Sequence, residues 1–308
     1  MDHNMKWTGV IPAITTPFKP DHSIDLEFLK RHCQWLVDGG CSGIVALGSL
    51  GEGQTLRVAE KRAVLRACVE AVGDRVPIVA GVSALSTAEA VEVAQLARDE
   101  QCKGLMVLPP YVYVGDWREM KAHVATVLNA TELSCMLYNN PIAYKVDFIP
   151  VQVKELLDEH CNLHAIKESS ADVRRIAALR EIVEPGRLQI LVGVDDLVVE
   201  AAAMGSVGWI AGLANAFPRE SVELFELARK QESDRAFALY RWLLPLLRMD
   251  TVPKFVQLIK AVQEEVGMGS SRVRAPRLEL SESERAEVQN IVRRALQSRS
   301  AALAANVS

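Results

Sequence analysis

The chain has 308 residues, of which 49% are hydrophobic and 24% are charged, and its formal net charge is −4 at pH 7. This composition is typical of a globular protein that can bury a large core in one or two domains. The small net charge and the lack of Lys/Arg runs argue against a nucleic-acid partner. No apolar stretch reaches the ~20 residues of a membrane span, so we expect no membrane partner either.

The spacing of the cysteines and histidines indicates the redox compartment of the protein and whether it can bind a metal ion. The six cysteines include no Cys-x-x-Cys pair, and the six histidines form no His-x-x-x-His or Cys/His cluster. We therefore expect free thiols in a reducing compartment and no metal site. The N-terminal residues lack the apolar core of a signal peptide, so we expect a cytoplasmic protein.

Short β-branched segments alternate with longer amphipathic segments from residue 8 to about 217. The predicted strands lie at residues 10–14, 43–47, 77–80, 105–108, 134–138, 163–167, 189–192 and 207–210. The predicted helices between them lie at residues 26–38, 58–72, 88–100, 117–129, 151–159, 173–182 and 197–204. Eight such units in roughly 200 residues predict a (β/α)₈ barrel. A doubly wound sheet is the alternative.

The strand pattern disappears after Asn215, and the remaining periodic segments are helical. Helices are predicted at residues 218–230, 234–249, 253–266 and 282–297. We expect a barrel at residues 1–217 that carries the active site, a helical extension at 218–297 and a frayed tail at 298–308. The apolar faces of the extension need a cover, either the barrel or another subunit, which favours an oligomer.

Three segments at the ends of predicted strands carry candidate site residues. Gly48-Ser49-Leu50-Gly51-Glu52-Gly53 follows the second strand. Gly48 and Gly51 can take positive φ there, so that backbone amides and the Ser49 hydroxyl could hold a carboxylate. An ordinary strand-to-helix turn is the alternative.

The fifth strand ends in Tyr138, followed by Asn139-Asn140-Pro141, and the sixth ends in Lys167. A phenol at a strand end can relay protons, although a core tyrosine is the alternative. A poorly solvated lysine can lose its proton and act as a nucleophile in Schiff-base chemistry, although a solvated strand end is the alternative. In a barrel the three segments meet at the mouth formed by the carboxyl ends of the strands.

The ordered motifs resemble those of the dihydrodipicolinate synthase and N-acetylneuraminate lyase superfamily of class I aldolases. The resemblance spans almost the whole chain and rests on the motifs Thr15-Thr16-Pro17-Phe18, Gly48-Ser49-Leu50-Gly51-Glu52, Pro109-Pro110-Tyr111, Tyr138-Asn139-Asn140-Pro141, Ile166-Lys167-Glu168 and Gly193-Val194-Asp195-Asp196. The Gly193 motif by itself is interpreted as a turn and helix cap.

The resemblance implies that Lys167 forms a Schiff base with pyruvate or another 2-oxo acid and that Tyr138 relays protons. It implies that Ser49 and the Leu50 amide bind the substrate carboxylate, that no cofactor is needed, and that the assembly is a homotetramer, a dimer of dimers. The further candidates for substrate binding are Gly48, Gly51, Ala143, Tyr144 and Ile210, and those for contacts across a subunit interface are Tyr111 and Tyr113.

Three departures from the synthase pattern bear on the reaction. Leu50 stands where a second threonine is usual, and Val112 stands where a second tyrosine is usual, with Tyr113 one residue later. Ala143 stands where an arginine binds the carboxylate of the aldehyde substrate. A more apolar distal pocket is predicted from Leu50, Ala143, Tyr144 and Trp209, although Trp209 is also interpreted as a core residue.

The sequence therefore predicts a carbon-oxygen or carbon-carbon lyase that acts on pyruvate or a related 2-oxo acid, as an aldolase, dehydratase or deaminase. One alternative is a genuine 4-hydroxy-tetrahydrodipicolinate synthase. An alternative of another class is a catalytically decayed barrel that binds a small molecule and acts as a regulator.

Overall fold

Eight parallel strands form a barrel in the computed structural model, which describes residues 5–110 and 113–304. The strands are β1 Gly9–Pro12, β2 Ile44–Ala46, β3 Ile78–Val82, β4 Gly104–Val107, β5 Ser134–Asn139, β6 Leu163–Glu168, β7 Gln189–Val192 and β8 Gly208–Ala211. Neighbours in sequence pair from β2 to β8, and β8 pairs with β1. The ring closes where the Ile14 N–H donates to the Val45 carbonyl at 2.9 Å. The predicted barrel is confirmed, and the doubly wound sheet is wrong.

Helices follow the strands around the outside of the barrel. They are α1 Leu26–Asp38, α2 Val58–Val72, α3 Thr87–Asp99, α4 Trp117–Asn129, α5 Pro141–Tyr144, α6 Pro150–Glu159, α7 Arg174–Ile182, α8 Val198–Ala203, α9 Pro218–Arg229, α10 Ser233–Leu247, α11 Phe255–Glu265 and α12 Glu282–Ala304. The sequence did not predict α5, because four residues are too short for an apolar period. This helix begins at Pro141, with the Asn140 side chain accepting from the Ala143 N–H.

Side chains at the amino ends of the strands fill the bottom of the barrel. Trp7 is fully buried, and its Nε1 donates to the Ser134 hydroxyl at 2.8 Å. A Cβ on Gly104 would lie 2.9 Å from the Trp7 ring, so the indole packs directly on the first residue of β4. With this end occupied, chemistry belongs at the opposite mouth, as is general for this fold.

The C-terminal helices pack on the barrel and on one another. α9 packs against β1 and β8, and α12 packs against α10, where the Trp242 Nε1 donates to the Ala295 carbonyl at 2.9 Å. The division of the chain at residue 217 stays a prediction. The predicted tail from residue 298 does not begin where expected, because α12 continues to Ala304.

Candidate active site

Lys167 and Tyr138 lie side by side at the barrel mouth. They are register partners on β6 and β5, so their side chains leave the sheet in the same direction. The Lys167 Nζ lies 4.0 Å from the centroid of the Tyr138 ring. Both residues are buried, with exposed fractions of 7% and 5%. The structure therefore places the predicted nucleophile against the predicted proton relay.

A glycine after β7 makes room for the lysine stem. A Cβ on Gly193 would lie 2.3 Å from the Lys167 Cε and 2.2 Å from the Ser169 Oγ, so both side chains would have to move to accommodate it. The Gly193 N–H also donates to the Glu168 carbonyl at 2.9 Å, which fixes the two strand ends together. Sequence reasoning assigned Gly193 to a turn and missed this role. The available signal was its position directly after the strand beside that of Lys167.

The surroundings of Lys167 favour the neutral amine. Burial lowers its pKa, because the charged form loses solvation, whereas the charges of Asp250, Tyr144 and Asp195 act in the opposite direction. Among the described residues, no carboxylate forms an ion pair with the amine within 4.0 Å, and the Nζ lies over the Tyr138 ring instead. A lysine in this state supplies more free base at neutral pH than an exposed one.

Three hydroxyl groups meet beside the lysine. The Tyr144 hydroxyl, at the end of α5, forms a hydrogen bond with the Ser49 Oγ, and the Tyr144 and Tyr138 rings meet edge to face at 5.7 Å. Burial raises the pKa of Tyr138 to about 12, although the Asn140 amide donates to its oxygen at 3.0 Å. Burial also raises the pKa of Tyr144. Both phenols therefore keep their protons at neutral pH and can donate them.

The glycine-rich loop has a different backbone from the one predicted. Positive φ occurs at Leu47 (63°) and Glu52 (54°), and not at Gly48 or Gly51. The glycines are needed for close approach, since a Cβ on Gly51 would lie 2.8 Å from the Ile14 carbonyl oxygen. The predicted positive φ at Gly48 and Gly51 is therefore wrong, and the role of the loop in binding a carboxylate stays a prediction.

A buried ion pair connects this loop to the C-terminal extension. The Glu52 carboxylate is fully buried and accepts from the Lys260 Nζ at 2.6 Å and from the Arg274 N–H at 3.0 Å. Lys260 lies on α11 and also donates to the Arg272 carbonyl at 2.6 Å. The two contacts of Glu52 join residues more than 200 positions apart, and sequence reasoning did not find them.

Asp195 organises the mouth near β8. Its carboxylate accepts from the Trp209 Nε1 and from the Leu213 N–H, each at 2.8 Å, and from the Gly212 N–H. Burial raises the pKa of Asp195 to about 6. Trp209 is fully buried in the core, as the second of its two interpretations predicted. The Asp195 carboxylate thus caps the turn after β8, and not the short helix in which it lies.

The remaining candidates occupy different surroundings. Leu50 and Ile210 are buried, and Ala143 is exposed. Tyr113 is 58% exposed, and its hydroxyl donates to Glu119 at 3.2 Å. Tyr111 and Val112 lie outside the described residues. The structure thus brings Lys167, Tyr138, Tyr144 and Ser49 together, and the roles of the other candidates stay predictions.

The described part of the chain offers neither a metal cluster nor a membrane span. Within residues 5–110 and 113–304, no group of three or more His, Cys, Asp or Glu residues could hold a metal ion. In the same ranges, no helix has the length and apolar character that crossing a membrane requires.

Comparison with known proteins matches nearly the whole chain. The model of the dihydrodipicolinate synthetase family matches residues 6–295. A 4-hydroxy-tetrahydrodipicolinate synthase of Methanococcus vannielii is 33% identical over 282 residues, covering 92% of this chain and 96% of the relative. A protein of the same name from Methanopyrus kandleri is 34% identical over 275 residues, covering 89% and 91%.

Solved structures agree with this match. The 4-hydroxy-tetrahydrodipicolinate synthase of Methylacidiphilum fumariolicum superposes with a TM-score of 0.92 at 28% identity, covering 97% of this chain and 99% of that one. A prophage protein of the dihydrodipicolinic acid synthase family from E. coli, solved in complex with pyruvate, superposes with a TM-score of 0.88 at 27% identity, covering 94% and 98%.

Proposed function

The chain belongs to the dihydrodipicolinate synthetase family, and we propose that it is a lyase that forms a Schiff base between Lys167 and pyruvate or a related 2-oxo acid. The observation that carries this proposal is the buried Lys167 amine, which has a lowered pKa and lies 4.0 Å from the Tyr138 ring centroid. A buried lysine without an ion-pair partner is costly to keep. A nucleophile that must be uncharged to react accounts for that cost.

The chemical steps follow from the order of the groups. The Lys167 Nζ attacks the ketone carbon, a proton reaches the carbonyl oxygen, and loss of water leaves an iminium. Loss of a proton from the carbon next to the iminium then gives an enamine, which can attack an electrophile. In the opposite direction, cleavage of the bond from that carbon to its substituent regenerates the enamine. The protonated Tyr138 can deliver and recover the protons of the carbinolamine step.

Tyr144 extends the proton relay within one subunit. Leu50 lacks the hydroxyl that the synthase pattern has at this position, and the Tyr144 hydroxyl instead reaches Ser49. A hydrogen bond between the Tyr144 and Tyr138 hydroxyls acts to lower the pKa of Tyr138. Ser49, Tyr144 and Tyr138 thus form a line of hydroxyls toward Lys167, and the Leu50 amide with Ser49 is the proposed holder of the substrate carboxylate.

A second candidate is 4-hydroxy-tetrahydrodipicolinate synthase itself, which the names of the relatives favour. The exposed Ala143 has no polar group that could bind the carboxylate of the aldehyde substrate. We therefore propose that the second substrate of this protein differs from that of the synthase. An assay for 4-hydroxy-tetrahydrodipicolinate, the compound in the relatives' name, separates the two candidates.

Reductive trapping tests the shared Schiff-base step. The protein is incubated with pyruvate and borohydride, and intact mass and peptide mapping then locate any adduct. We expect one adduct on Lys167 and none on the buried Lys260, and the Lys167→Arg variant is the matched control because arginine keeps the charge but forms no imine. A folded protein that gives no adduct with pyruvate or any other 2-oxo acid would support the decayed, small-molecule-binding barrel instead.

We also propose the homotetramer for this chain. Apolar side chains near the mouth are exposed, including Leu85 at 70%, Val114 at 67% and Ile142 at 58%. Exposed apolar groups of this kind are apt for subunit contacts. Light scattering coupled to size-exclusion chromatography measures the mass directly, and a monomer at micromolar concentration would contradict the proposal. The cytoplasmic location stays a prediction.

A further inference from the structure

Glu52 ends the stretch of the glycine-rich loop that carries the proposed carboxylate-binding groups. It lies two residues after Leu50, is fully buried and has a left-handed backbone, with φ of 54°. A residue other than glycine keeps this conformation only where its surroundings hold it there. The Glu52 N–H donates to the Ser49 carbonyl at 3.1 Å, and the Gly53 N–H donates to the Gly48 carbonyl at 3.2 Å. The loop is therefore closed on itself, so a displacement of Glu52 also displaces Ser49 and Leu50.

Both carboxylate oxygens of Glu52 are bonded to the C-terminal extension. Its Oε1 accepts from the Lys260 Nζ at 2.6 Å, and its Oε2 accepts from the Arg274 N–H at 3.0 Å. The Arg277 guanidinium lies 4.0 Å from the same Oε2. The Lys260 Nζ also donates to the Arg272 carbonyl at 2.6 Å. Lys260 thus connects the loop to the segment that follows α11.

Such complete pairing is not general for the buried carboxyl groups of this protein. The Asp250 Oδ1 lies against the Gly212 backbone, since a Cβ on Gly212 would lie 2.1 Å from it, but it accepts no hydrogen bond from any described residue. A buried ion pair gives little net stability compared with a well-packed apolar pair, because burying two charges is costly. The loop geometry that Glu52 and Lys260 fix is therefore the better account of their pairing.

The segment that supplies these partners is itself fixed on the barrel. The Arg274 guanidinium donates to the two Glu60 carboxylate oxygens at 2.7 and 2.9 Å and to the His22 carbonyl at 2.8 Å. Glu60 lies in the first turn of α2, the helix that follows the loop. From the other side, the Thr16 Oγ1 donates to the Gly51 carbonyl at 2.6 Å. The loop is thus held between the strand ends of the barrel and the C-terminal extension.

We propose that Lys260 is a positioning residue, which through Glu52 holds the Ser49 hydroxyl and the Leu50 amide where they bind the carboxylate of the 2-oxo acid. This inference rests on the proposed Schiff-base function. Lys260 is only 1% exposed, so a substrate does not reach its amine and its effect must pass through the loop. The C-terminal extension thereby takes part in selecting substrates that carry a carboxylate beside the ketone.

A pair of probes separates recognition of the carboxylate from recognition of the ketone. Pyruvate and pyruvamide are nearly the same size, and only pyruvate carries the negative charge. The half-saturating concentration for borohydride trapping on Lys167 is measured for each probe, and the ratio of pyruvamide to pyruvate is taken within each variant, so that a uniform effect on Lys167 cancels. We expect this ratio to fall by about tenfold in Lys260→Met, because hydrogen bonds to a charged group are misplaced.

The fall should come from pyruvate alone. The half-saturating concentration of pyruvate should rise in Lys260→Met, that of pyruvamide should stay nearly constant, and the adduct should remain on Lys167. Lys121→Met is the matched control, since its Nζ also donates to two carboxylates at 2.6 Å, those of Glu155 and Glu159, but between α4 and α6. Its ratio should equal that of the unmodified protein. A folded Lys260→Met variant that is less stable but keeps the full ratio would overturn the inference.

The remaining outcomes separate this inference from the function on which it rests. No adduct with any 2-oxo acid would contradict the Schiff-base function. Equal half-saturation by the two probes in the unmodified protein would contradict carboxylate binding by the loop, and the inference with it, but would leave the Schiff base standing. If Lys260→Met does not fold, Glu52→Gln decides, because glutamine keeps the size and an acceptor oxygen but loses the charge that pairs with Lys260. Its ratio should fall in part, and an unchanged ratio would overturn the positioning role.

Discussion

Lys167 and Lys260 are both buried, at 7% and 1% exposure, but they have opposite surroundings. Lys260 donates to the Glu52 carboxylate and to the Arg272 carbonyl, each at 2.6 Å, and its Nζ lies 4.3 Å from the centroid of the Phe18 ring. Lys167 has the Tyr138 ring but no ion-pair partner within 4.0 Å among the described residues. Burial lowers the pKa of each amine, that of Lys260 to about 8.

The contrast separates a lysine held in an ion pair from the lysine that we propose as the nucleophile. A lysine paired with a carboxylate is held in its protonated form, which has no lone pair with which to attack a ketone. An unpaired lysine beside a phenol can exchange its proton and react. Burial alone therefore does not identify the nucleophile, and the partner of the amine decides.

The largest expected effect is on the trapping of pyruvate when each of the two lysines is replaced in turn. Lys167→Ala removes the only amine that we place in the reaction, so borohydride trapping of pyruvate should fall by roughly a thousandfold or more. Lys260→Met should keep trapping at Lys167 wherever the protein is folded. Peptide mapping of both variants checks this, and an adduct that moves to another lysine in Lys167→Ala would contradict the assignment.

The second effect is on stability. Lys260→Met leaves the Glu52 carboxylate buried without its main partner, which should lower the free energy of unfolding by about 3–5 kcal/mol. The double variant Glu52→Gln/Lys260→Met removes both charges and should recover a large part of that loss. Urea unfolding measures both variants, and additive losses in the double variant would mean that the pair does not act as a unit.

Gly193→Ala should displace the side chain of Lys167 and leave that of Lys260 in place. The added Cβ meets the Lys167 Cε at 2.3 Å, so the stem must move, and a displacement near 1 Å can lower a rate by about a hundredfold. Gly115→Ala is the matched control, because the atoms nearest to its Cβ belong to the Glu119 and Tyr113 side chains and lie at 3.0 Å or more. Trapping rates with pyruvate are compared, and equal rates in the two variants would refute the packing role of Gly193.

Tyr144→Phe should slow proton transfer beside Lys167. It removes the hydroxyl that bonds to Ser49, so deuterium uptake into the methyl group of pyruvate should slow by about tenfold or more. Trapping at equilibrium should remain. Nuclear magnetic resonance follows the uptake. If Tyr113→Phe slows it and Tyr144→Phe does not, the relay crosses a subunit interface instead.

The smallest expected effect is a shift of the pH profile. Only the neutral amine attacks a ketone, so the trapping rate should rise with pH and level off below the ordinary lysine pKa of 10.5, because burial lowers the pKa of Lys167. The charge of Asp250 raises that pKa, and Asp250→Asn should therefore move the rise to lower pH. Initial trapping rates across the pH range check the direction, and a shift to higher pH would contradict the electrostatic assignment.

Several parts of the site were predictable because their signals are local. Lys167 and Tyr138 lie near the carboxyl ends of their strands and Ser49 lies shortly after β2, and the parallel barrel brings such positions together. Tyr144 was a candidate by its neighbourhood, but its contact with Ser49 depends on α5, a helix too short to leave a period in the sequence. The loop glycines were found for the wrong reason, since their need for space comes from neighbours such as Ile14.

Hydrophobic periodicity was sufficient to predict the strands, the longer helices and the barrel, because burying one face of each element requires a regular spacing of apolar residues. The order of strand ends was then sufficient to predict where Lys167 and Tyr138 meet. Contacts such as Glu52 with Lys260 and Asp250 with Gly212 came only from the packed molecule. Their members lie far apart in sequence and follow no period, so only three-dimensional packing decides which carboxylate has a partner and which has none.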